Sequence, residues 1–241
     1  MNAIPAGWRM LVHDQLPSTA DCLREMAEAG EPERLAILAL RQTAGRGTRG
    51  RAWDSPPGNL HLSILLRPQA PAREVPQWSL LAAVALHTAL APQSPALTLK
   101  WPNDLLLAGA KCAGILSEAT LRPDGALDWL ALGIGVNLAS APELPGRPTA
   151  ALPPPALAPE AAAAAILAAL DHWRAIQAAS GFAPIRAAWL AAAHPIGTPL
   201  TVTTPNGGPL CGTFGGLDPS GALRLRTALG METVAAGEIH P

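Results

Sequence analysis

The sequence is poor in lysine, cysteine, aromatic residues and net charge. It contains two lysines beside fifteen arginines, three cysteines, and an aromatic fraction of 4%. Its 17 basic and 18 acidic residues nearly cancel, which excludes the broad positive field of a general nucleic-acid or acidic-membrane binder. No apolar run approaches the roughly 20 residues that cross a bilayer, and no basic segment leads into an apolar one at the N-terminus. These absences predict a soluble, cytoplasmic protein.

The number and spacing of the cysteines exclude two further kinds of protein. Cys22, Cys112 and Cys211 are far apart and odd in number, which fits neither a zinc site nor a disulfide framework. They fit a reducing compartment. With 241 residues, of which 49% are hydrophobic, the chain can form one sizeable domain, or a large domain with a small one.

Positive charge is concentrated in one glycine-rich segment, which we call the arginine loop (residues 41–53). The loop lacks the Lys-Ser or Lys-Thr ending of a phosphate-binding loop, and it joins two strand-like runs where a dinucleotide fingerprint would begin a helix. Its glycines allow close approach of backbone N–H groups, and its arginines can pair with carboxylate or phosphate. A solvated basic connection and an anion-binding surface are both open, and Trp53 favours the second. Four arginines lie within eleven residues: Arg41, Arg46, Arg49 and Arg51.

Apolar periodicity and turn signals divide the chain into short elements. The succession of strand, loop, strand and helix in the first part is an α/β pattern. Ser18 caps the first helix and Gly30 ends it. After residue 195, short strands with strong turn signals predict a small barrel, so we predict domains at 1–194 and 195–241. The predicted helices are 18–30, 75–90, 160–179 and 183–194; the strands are 35–40, 60–65, 96–101, 105–107, 111–119, 127–138, 200–203, 210–214, 222–227 and 234–239; a turn is predicted at 206–208 and an irregular, proline-rich connection at 140–159.

The two lysines, Lys100 and Lys111, are eleven residues apart in an arginine-rich chain. This suggests that a compact ammonium is needed at both positions, with chance as the alternative. Lys100 opens the sequence Lys-Trp-Pro-Asn-Asp at 100–104, in which the asparagine or the aspartate alone would indicate only turn chemistry. Lys111 begins an apolar strand, where a lysine is expected to face a cleft or a partner. Glycines at 114, 133 and 135 indicate a ligand that lies against the backbone.

An ordered set of short motifs resembles the biotin protein ligase family. Each motif is weak by itself, whereas the whole set, over roughly residues 8–240, is highly specific. The motifs are Gln-Thr-Ala-Gly-Arg-Gly at 42–47, Gly50-Arg51 with Trp53, Gly58-Asn59-Leu60, Leu62-Ser63, Lys-Trp-Pro-Asn-Asp at 100–104, Lys111 with Ala-Gly-Ile-Leu at 113–116, Glu118, Gly-Ile-Gly-Val-Asn at 133–137, residues 212–217 with Gly-Ala-Leu-Arg-Leu at 221–225, and Gly237-Glu238-Ile239.

The resemblance implies both a fold and a reaction. The implied fold is α+β, with a mixed-sheet catalytic domain of the biotin/lipoate ligase type and a small C-terminal SH3-like β-barrel. In the implied reaction, biotin and MgATP give biotinyl-5'-AMP and pyrophosphate, and the biotinyl group passes to a lysine of a biotin carboxyl carrier protein. ATP, Mg²⁺ and biotin are then substrates, and no tightly bound prosthetic group is expected. The expected partner is an acetyl-CoA carboxylase subunit or a related carboxylase.

This chemistry needs cations, because the carboxylate of biotin must closely approach the α-phosphate of ATP. We expect the ammonium of Lys111 to bridge the two anions and to stabilise the transition state, with Arg46 as a second cation. Asp104 is the third candidate catalytic residue. With Asn103, it is expected to orient the phosphates, Mg²⁺ or the acceptor lysine, and the sequence leaves these alternatives open. Trp53 is expected to cover the adenylate when the arginine loop closes and excludes water.

The resemblance assigns further site residues by position. Ser18, Thr19 and Gln42 match positions that hydrogen-bond the ureido ring, and Gly114 and Leu116 supply backbone groups. No metal ligand is assigned. The full biotin set is Ser18, Thr19, Gln42, Gly45, Arg46, Gly47, Thr48, Lys111, Gly114 and Leu116. The nucleotide set is Arg49, Arg51, Trp53, Asn103, Val136 and Asn137, of which the last two correspond to adenine contacts.

The sequence departs from the family pattern at two positions. Ala20 stands where an asparagine commonly follows the Ser-Thr pair, so one polar contact with the ureido ring is loosened. Thr48 stands where many relatives carry arginine, so one cation near the intermediate is missing. Only 17 residues precede Ser18, too few for a helix-turn-helix domain, and we therefore expect a ligase without DNA binding.

Three other interpretations compete with a biotin ligase. A lipoate protein ligase shares the fold and the acyl-adenylate chemistry, but the two lysines and the predicted barrel favour biotin. A biotin-binding regulator without catalysis would explain the two departures. An RNA-binding module is disfavoured because no interleaved set of stacking aromatic residues accompanies the arginines. The sequence does not decide the carrier, the affinity for the adenylate, the role of the C-terminal segment, or whether two chains form a homodimer through an edge strand.

Overall fold

The computed structural model describes residues 4–155, 157–205 and 207–240, and its larger part is a seven-stranded mixed sheet. The strand order is β1-β2-β3-β7-β6-β5-β4, in which β1 and β2 are parallel and all other neighbours are antiparallel. The strands are β1 (Arg9–His13), β2 (Leu35–Ala39), β3 (Leu60–Leu66), β4 (Leu97–Lys100), β5 (Asp104–Leu107), β6 (Ala110–Leu121) and β7 (Leu127–Val136).

Helices cover both faces of this sheet, because its strands carry apolar residues on both faces. Leu60, Leu62 and Ile64 of β3 belong to the main hydrophobic core, with α2, α3 and α4. Leu65 faces the other way and packs with Leu23 of α1. The sheet is therefore a middle layer between α1 on one face and α2, α3 and α4 on the other. The helices are α1 (Thr19–Glu28), α2 (Val75–Leu90), α3 (Pro159–Ser180) and α4 (Ala183–Ala192).

The predicted helices and the strands of the first sheet are confirmed to within a few residues at each end. Ser18 caps α1, and its hydroxyl accepts a hydrogen bond from the backbone N–H of Asp21 at 3.3 Å. The proline-rich connection is also confirmed, since only isolated bridges occur among its described residues before α3. All three cysteines are free, and no helix in the described ranges is long and apolar enough to cross a membrane.

The C-terminal segment forms a second, antiparallel sheet with the strand order β11-β10-β9-β8-β12. The fold is thus α+β, with a mixed sheet followed by an antiparallel one. The pairings among the described residues leave β11 and β12 as the two edges, so closure into a barrel is not established. Asn206, in the turn predicted at 206–208, lies outside the described residues. The strands are β8 (Pro199–Thr203), β9 (Pro209–Leu217), β10 (Leu223–Thr227), β11 (Gly230–Val234) and β12 (Glu238–His240).

The prediction of one strand at 234–239 is wrong. Strand β11 pairs with β10 as far as Val234. The chain then crosses to the opposite edge of the sheet and pairs with β8 from Glu238 onward. Gly237 permits this approach, because a Cβ atom there would lie 2.9 Å from the carbonyl oxygen of Thr203. Two strands with different partners therefore replace the single predicted one.

The two sheets share apolar packing and hydrogen bonds across residue 195. Trp189 of α4 packs near Phe214 of β9, with 6.4 Å between ring centroids, and both belong to the main core. The indole N–H of Trp101 donates to the carbonyl of Gly221 at 3.2 Å. These contacts hold the turn at 101–104 against the C-terminal sheet, while the division into two domains at 195 stays a prediction.

Candidate functional site

The floor of the candidate site is a face of β3, β7 and β6 that carries few side chains. Gly135 of β7 is paired with both His61 of β3 and Gly114 of β6. Two residues earlier in β7, Gly133 is paired with Ser63 and with Leu116. The glycines leave the backbone accessible, and together with α1 and the arginine loop this floor bounds a cleft, which we call the first cleft.

His61 is buried at this floor, and sequence reasoning did not assign it. Its Nε2 atom lies 3.2 Å from the carbonyl oxygen of Pro56. Burial lowers the pKa of His61 and outweighs both the hydrogen bond to Pro56 and the charge of Asp54, which act in the opposite direction. The imidazole is therefore neutral near pH 7, so the floor itself carries no charge.

Trp53 lies directly on this floor. A Cβ atom on Gly135 would be 2.4–2.7 Å from three atoms of the Trp53 indole, closer than any non-bonded contact allows. Glycine at 135 is therefore required for the observed position of the ring. The prediction that Trp53 lies beside the ligand site agrees with this geometry, and its cover of an adenylate stays a prediction.

Lys111 stands beside Trp53 and is paired with Asp104. Its Nζ atom is 2.5 Å from Oδ1 of Asp104 and 5.6 Å from the centroid of the Trp53 ring. The Asp104 side chain is 16% exposed and that of Lys111 is 34% exposed, so the ammonium keeps a free side toward the cleft. The structure therefore brings together two of the three predicted catalytic residues, with the ammonium on the apolar ring face that favours a cation.

Arg46, the third predicted catalytic residue, is held by two carboxylates that sequence reasoning did not assign. Its Nη2 atom lies 3.0 Å from Asp21 of α1 and 3.0 Å from Glu118 of β6. Its Nε atom is buried and has no hydrogen-bond partner within the described part of the chain. Arg46 also lines the first cleft, and the two carboxylates fix its guanidinium there.

Replacing Arg46 with alanine is expected to weaken biotin binding about tenfold, because a donor and a cation leave the cleft. The melting temperature should fall by only about 2–4 °C, since partly exposed ion pairs contribute ~1 kcal/mol. Calorimetric titration with biotin and thermal unfolding measure the two effects. Arg24→Ala is the matched control: Arg24 pairs with the same Asp21, at 2.8 Å, but does not line the cleft. A much larger fall in melting temperature would make Arg46 a structural residue.

A chain of hydrogen bonds joins the floor to the arginine loop. Ser63 donates to Thr19 Oγ1 at 2.8 Å, and the hydroxyl and backbone N–H of Thr19 donate to Gln42 Oε1 at 3.0 and 2.7 Å. The amide of Gln42 donates to Ser55 Oγ at 2.8 Å, and Ser55 donates to the backbone carbonyl of Trp53 at 3.1 Å. The predicted ureido ligands Thr19 and Gln42 are thus connected to Trp53 through Ser55, a residue that the sequence did not indicate.

The arginine loop is also attached to the C-terminal sheet. Arg49 Nη1 lies 2.7 Å from Oε2 of Glu238, and Arg51 Nη1 lies 2.6 Å from Oε1 of the same carboxylate. Burial acts to raise the pKa of Glu238, but the hydrogen bond and charge of Arg51 and the charges of Arg49 and Arg147 lower it overall. Glu238 is therefore ionised at neutral pH, and it occupies both arginines that were assigned to the nucleotide.

Two further clefts meet the first one at the Lys111–Asp104 pair. The second cleft lies between the arginine loop, the turn at 101–104 and residues 235–239. The third lies between residues 42–55 and 137–149. Lys111 lines the first and third clefts and Asp104 the second. A group bound at this pair can therefore extend into three different spaces.

The structure distributes the predicted ligand residues over these clefts. Asn137 uses its amide to bond the carbonyls of Lys111 and Ala150, at 3.4 and 3.2 Å. Val136 follows Gly135 in β7, so its side chain points to the opposite face of the sheet. That side chain is buried in the main core, and only the backbone of Val136 is near the site. The first cleft is lined by Ser18, Thr19, Gln42, Arg46, Gly47, Thr48, Trp53, Asn103, Lys111, Gly114 and Leu116; the second by Thr48, Arg49, Arg51, Asn103 and Asp104; the third by Gln42, Gly45, Gly47, Thr48, Arg51, Trp53, Lys111 and Asn137.

The described residues hold no group of three or more His, Cys, Asp or Glu side chains suited to a metal ion. A magnesium ion that enters with a nucleotide is held mainly by phosphate and water oxygens, with one or two protein carboxylates. Such a site is consistent with Asp104.

Comparison with known proteins agrees with this arrangement. A model of the biotin/lipoate A/B protein ligase family matches residues 12–137, and a model of the biotin protein ligase C-terminal domain matches residues 196–240. A biotin--[acetyl-CoA-carboxylase] ligase from Paracoccus denitrificans is 42% identical, over 84% of this chain and 88% of its own length. The chain belongs to the biotin protein ligase family.

Other biotin protein ligases support the assignment over nearly the whole chain. The bifunctional ligase/repressor BirA of Bacillus subtilis is 34% identical over 97% of this chain and 74% of its own length. A biotin protein ligase from Aquifex aeolicus, solved in complex with biotin and ATP, superposes with a TM-score of 0.81 over 96% of this chain and 97% of that one, at 24% identity. Both sheets of this biotin protein ligase thus have counterparts in a solved structure. The absence of DNA binding stays a prediction.

Proposed function

We propose that this chain activates biotin with ATP to biotinyl-5'-AMP and transfers the biotinyl group to a lysine of a biotin carboxyl carrier protein. The proposal rests on the position of Lys111. Its ammonium lies at the junction of the three clefts, next to the predicted biotin residues on one side and the predicted nucleotide residues on the other. Two anions that must react can meet only where a cation offsets their repulsion.

In the first step, a carboxylate oxygen of biotin attacks the α-phosphorus of ATP. The bond from that phosphorus to the oxygen bridging to the β-phosphate breaks, and pyrophosphate leaves with the electron pair. Lys111 offsets the charge of the biotin carboxylate and of the α-phosphate, and its pairing with Asp104 keeps the ammonium in place. Arg46, which lines the first cleft, supplies a further cation on the biotin side.

The first cleft suits the uncharged ring system of biotin, which has a polar ureido group. Thr19 and Gln42 offer hydroxyl and amide groups to the ureido ring, and the glycine floor lets the molecule lie against the backbone. Ala20 contributes no polar group at its position. The third cleft is left for adenosine, with Trp53 between the two spaces, and closure of the arginine loop over the adenylate excludes water.

In the second step, the amine of the carrier lysine attacks the carbonyl carbon of the mixed anhydride. The bond between that carbon and the phosphate oxygen breaks, AMP leaves, and the amine loses a proton as the amide forms. Lys111 remains beside the leaving phosphate, and Asp104 is placed to orient the incoming lysine. The acceptor is a carrier domain of acetyl-CoA carboxylase or a related carboxylase.

The C-terminal segment is the second part of the proposal. We assign residues 1–194 to the catalytic domain and 195–241 to a small domain with an SH3-like barrel form. The pairs from Arg49 and Arg51 to Glu238 support a role for this segment at the nucleotide side of the site. A homodimer formed through an edge strand, which the sequence left open, is not part of the proposal.

Transfer of biotin to a purified carrier domain tests the function. We expect the carrier to gain one biotinyl group by mass spectrometry when enzyme, biotin and MgATP are all present, and none when any is omitted. Biotin, but not lipoate, should also raise the melting temperature of the enzyme. Stabilisation by lipoate together with transfer of lipoate would favour a lipoate ligase. Stabilisation by biotin without release of pyrophosphate would favour a regulator without catalysis.

A further inference from the structure

Asn59 is a buried polar residue that has no role in the proposed reaction. It is 1% exposed and stands immediately before β3. Its Oδ1 atom accepts hydrogen bonds from the backbone N–H groups of Ala139 and Ser140, at 2.9 and 3.1 Å, and its Nδ2 atom donates to the carbonyl of Ser140 at 2.8 Å. One side chain thus binds three backbone groups that lie 80 and 81 residues further along the chain.

These bonds hold the first end of residues 139–150, which we call the 139–150 segment. Its other end is bonded to Lys111, whose backbone N–H donates to the carbonyl of Pro148 at 2.8 Å and whose carbonyl accepts from the N–H of Ala150 at 3.0 Å. The side chain of Asn137 donates to the carbonyls of the same two residues, Lys111 and Ala150. The segment is therefore attached to the rest of the protein at both ends.

Between these ends, the 139–150 segment forms a wall of the third cleft. Three of its residues are prolines, which have no N–H to donate, so the segment cannot pair as a regular strand. Its internal bonds are local: the N–H of Arg147 donates to the carbonyl of Leu144 at 3.1 Å, and the hydroxyl of Thr149 donates to the carbonyl of Pro142. The position of the wall therefore depends on the bonds at the two ends. The residues of the segment that line the cleft are Pro142, Leu144, Arg147 and Thr149.

The predicted biotin residues are held by other bonds. Thr19 and Gln42 bond each other, and the same chain of hydrogen bonds continues to Ser63 and Ser55. Among the described residues, those that line the three clefts do not include Asn59. Asn59 can therefore affect a ligand only through the 139–150 segment, which borders the third cleft and not the first.

We infer that Asn59 is a positioning residue for the nucleotide side of the site: by fixing the backbone of Ala139 and Ser140, it sets the position of the wall against which adenosine binds. The inference rests on the proposed function, which leaves the third cleft for adenosine. Gly58 supports it, because a Cβ atom there would lie 3.0 Å from the Cβ atom of Ala139. The sequence Gly58-Asn59 therefore meets the start of the segment both through its backbone and through the Asn59 side chain.

Asn59→Ala tests this inference through the separate KM values of the two substrates, measured by biotin-dependent exchange of labelled pyrophosphate into ATP. Loss of three hydrogen bonds releases one end of the wall, so the KM for ATP should rise about five- to tenfold, while the KM for biotin stays within about twofold. The kcat should change less than the KM for ATP, because Lys111 keeps its partner Asp104. Amide hydrogen exchange in the 139–150 segment should become faster.

Trp8→Phe is the matched control. It removes one hydrogen bond of a buried side chain, from the indole N–H of Trp8 to Oδ2 of Asp171 at 2.9 Å, at a place outside the three clefts. Both KM values should stay unchanged in this control, even where its melting temperature falls. An unchanged KM for ATP in Asn59→Ala, or an equal rise of both KM values, would overturn the inference, because a merely structural residue does not distinguish the two substrates.

If Asn59→Ala does not fold, Asn59→Asp decides the matter. Its side chain has the same shape and still accepts from the two N–H groups, but as a carboxylate it no longer donates to the carbonyl of Ser140. The KM for ATP should then rise about threefold and the KM for biotin should not change; no rise in the KM for ATP would contradict the inference. Failure of the proposed function is separate, since the wild-type enzyme itself would then show no biotin-dependent exchange of pyrophosphate.

Discussion

Replacing Lys111 with alanine is expected to lower the rate of biotinyl-5'-AMP formation on the order of 10²-fold or more. The ammonium lines the first and third clefts and is paired with Asp104, so the substitution removes the cation that offsets the charge developing on the α-phosphate in the transition state. Exchange of labelled pyrophosphate into ATP, which depends on biotin, measures this step without the carrier.

Two further variants separate the contribution of the Lys111 ammonium from that of its ion pair with Asp104. Lys111→Arg keeps the charge but replaces a compact group with a planar fork, and should recover only part of the activity. Asp104→Asn removes the carboxylate and leaves the ammonium without its partner, so its effect should be smaller. Thermal unfolding run in parallel shows whether the loss arises from folding. Unaltered turnover in a folded Lys111→Ala enzyme would remove Lys111 from the mechanism.

Adding a single methyl group at Gly135 is expected to lower kcat/KM for adenylation on the order of 10²-fold, with the protein still folded. The Cβ atom would lie 2.4–2.7 Å from the indole of Trp53, so the ring must leave the floor of the first cleft. A displacement of about 1 Å near a reacting group has effects of this size. Single-turnover formation of the adenylate and its rate of loss from the enzyme measure the result.

Gly133→Ala is the matched control, two residues along the same strand and on the same face. Its Cβ would make only ordinary contacts, the nearest at 3.6 Å to Leu116, so Trp53 stays in place. Both variants add a methyl group to the floor, and the difference between them reports on Trp53. Equal loss in both would contradict a role for the ring and would indicate that only the space for biotin matters.

Most of the helices and strands could be predicted from the sequence because they depend on local pattern. Ser18 and Gly30 set the bounds of α1 through capping and a positive φ angle, and the apolar run 75–90 matches α2. The motif at 100–104 and the glycines of β7 indicated a site, because turns and exposed backbone leave a signature in nearby residues. The prediction of one strand at 234–239 was wrong because the break between the two observed strands comes from a change of partner strand.

The partners of the charged residues were beyond sequence reasoning. Arg46 meets Glu118 across 72 residues, and Arg51 meets Glu238 across 187. No local sequence pattern indicates which carboxylate faces an arginine when the two residues are so far apart in the sequence. The motifs contained Glu118 and Glu238, yet their roles appear only when the sheets are assembled.

The sequence by itself determined that this chain has a glycine-rich cationic loop, two distinctive lysines and the motifs of a biotin protein ligase, since these are properties of residue type and spacing. Only the tertiary structure decided that Lys111 lines two clefts while its partner Asp104 lines a third, that Trp53 rests on Gly135, and that one glutamate holds two loop arginines. The physical reason is that electrostatic pairing and steric contact depend on distance in space, and the folded sheets bring distant parts of the chain together.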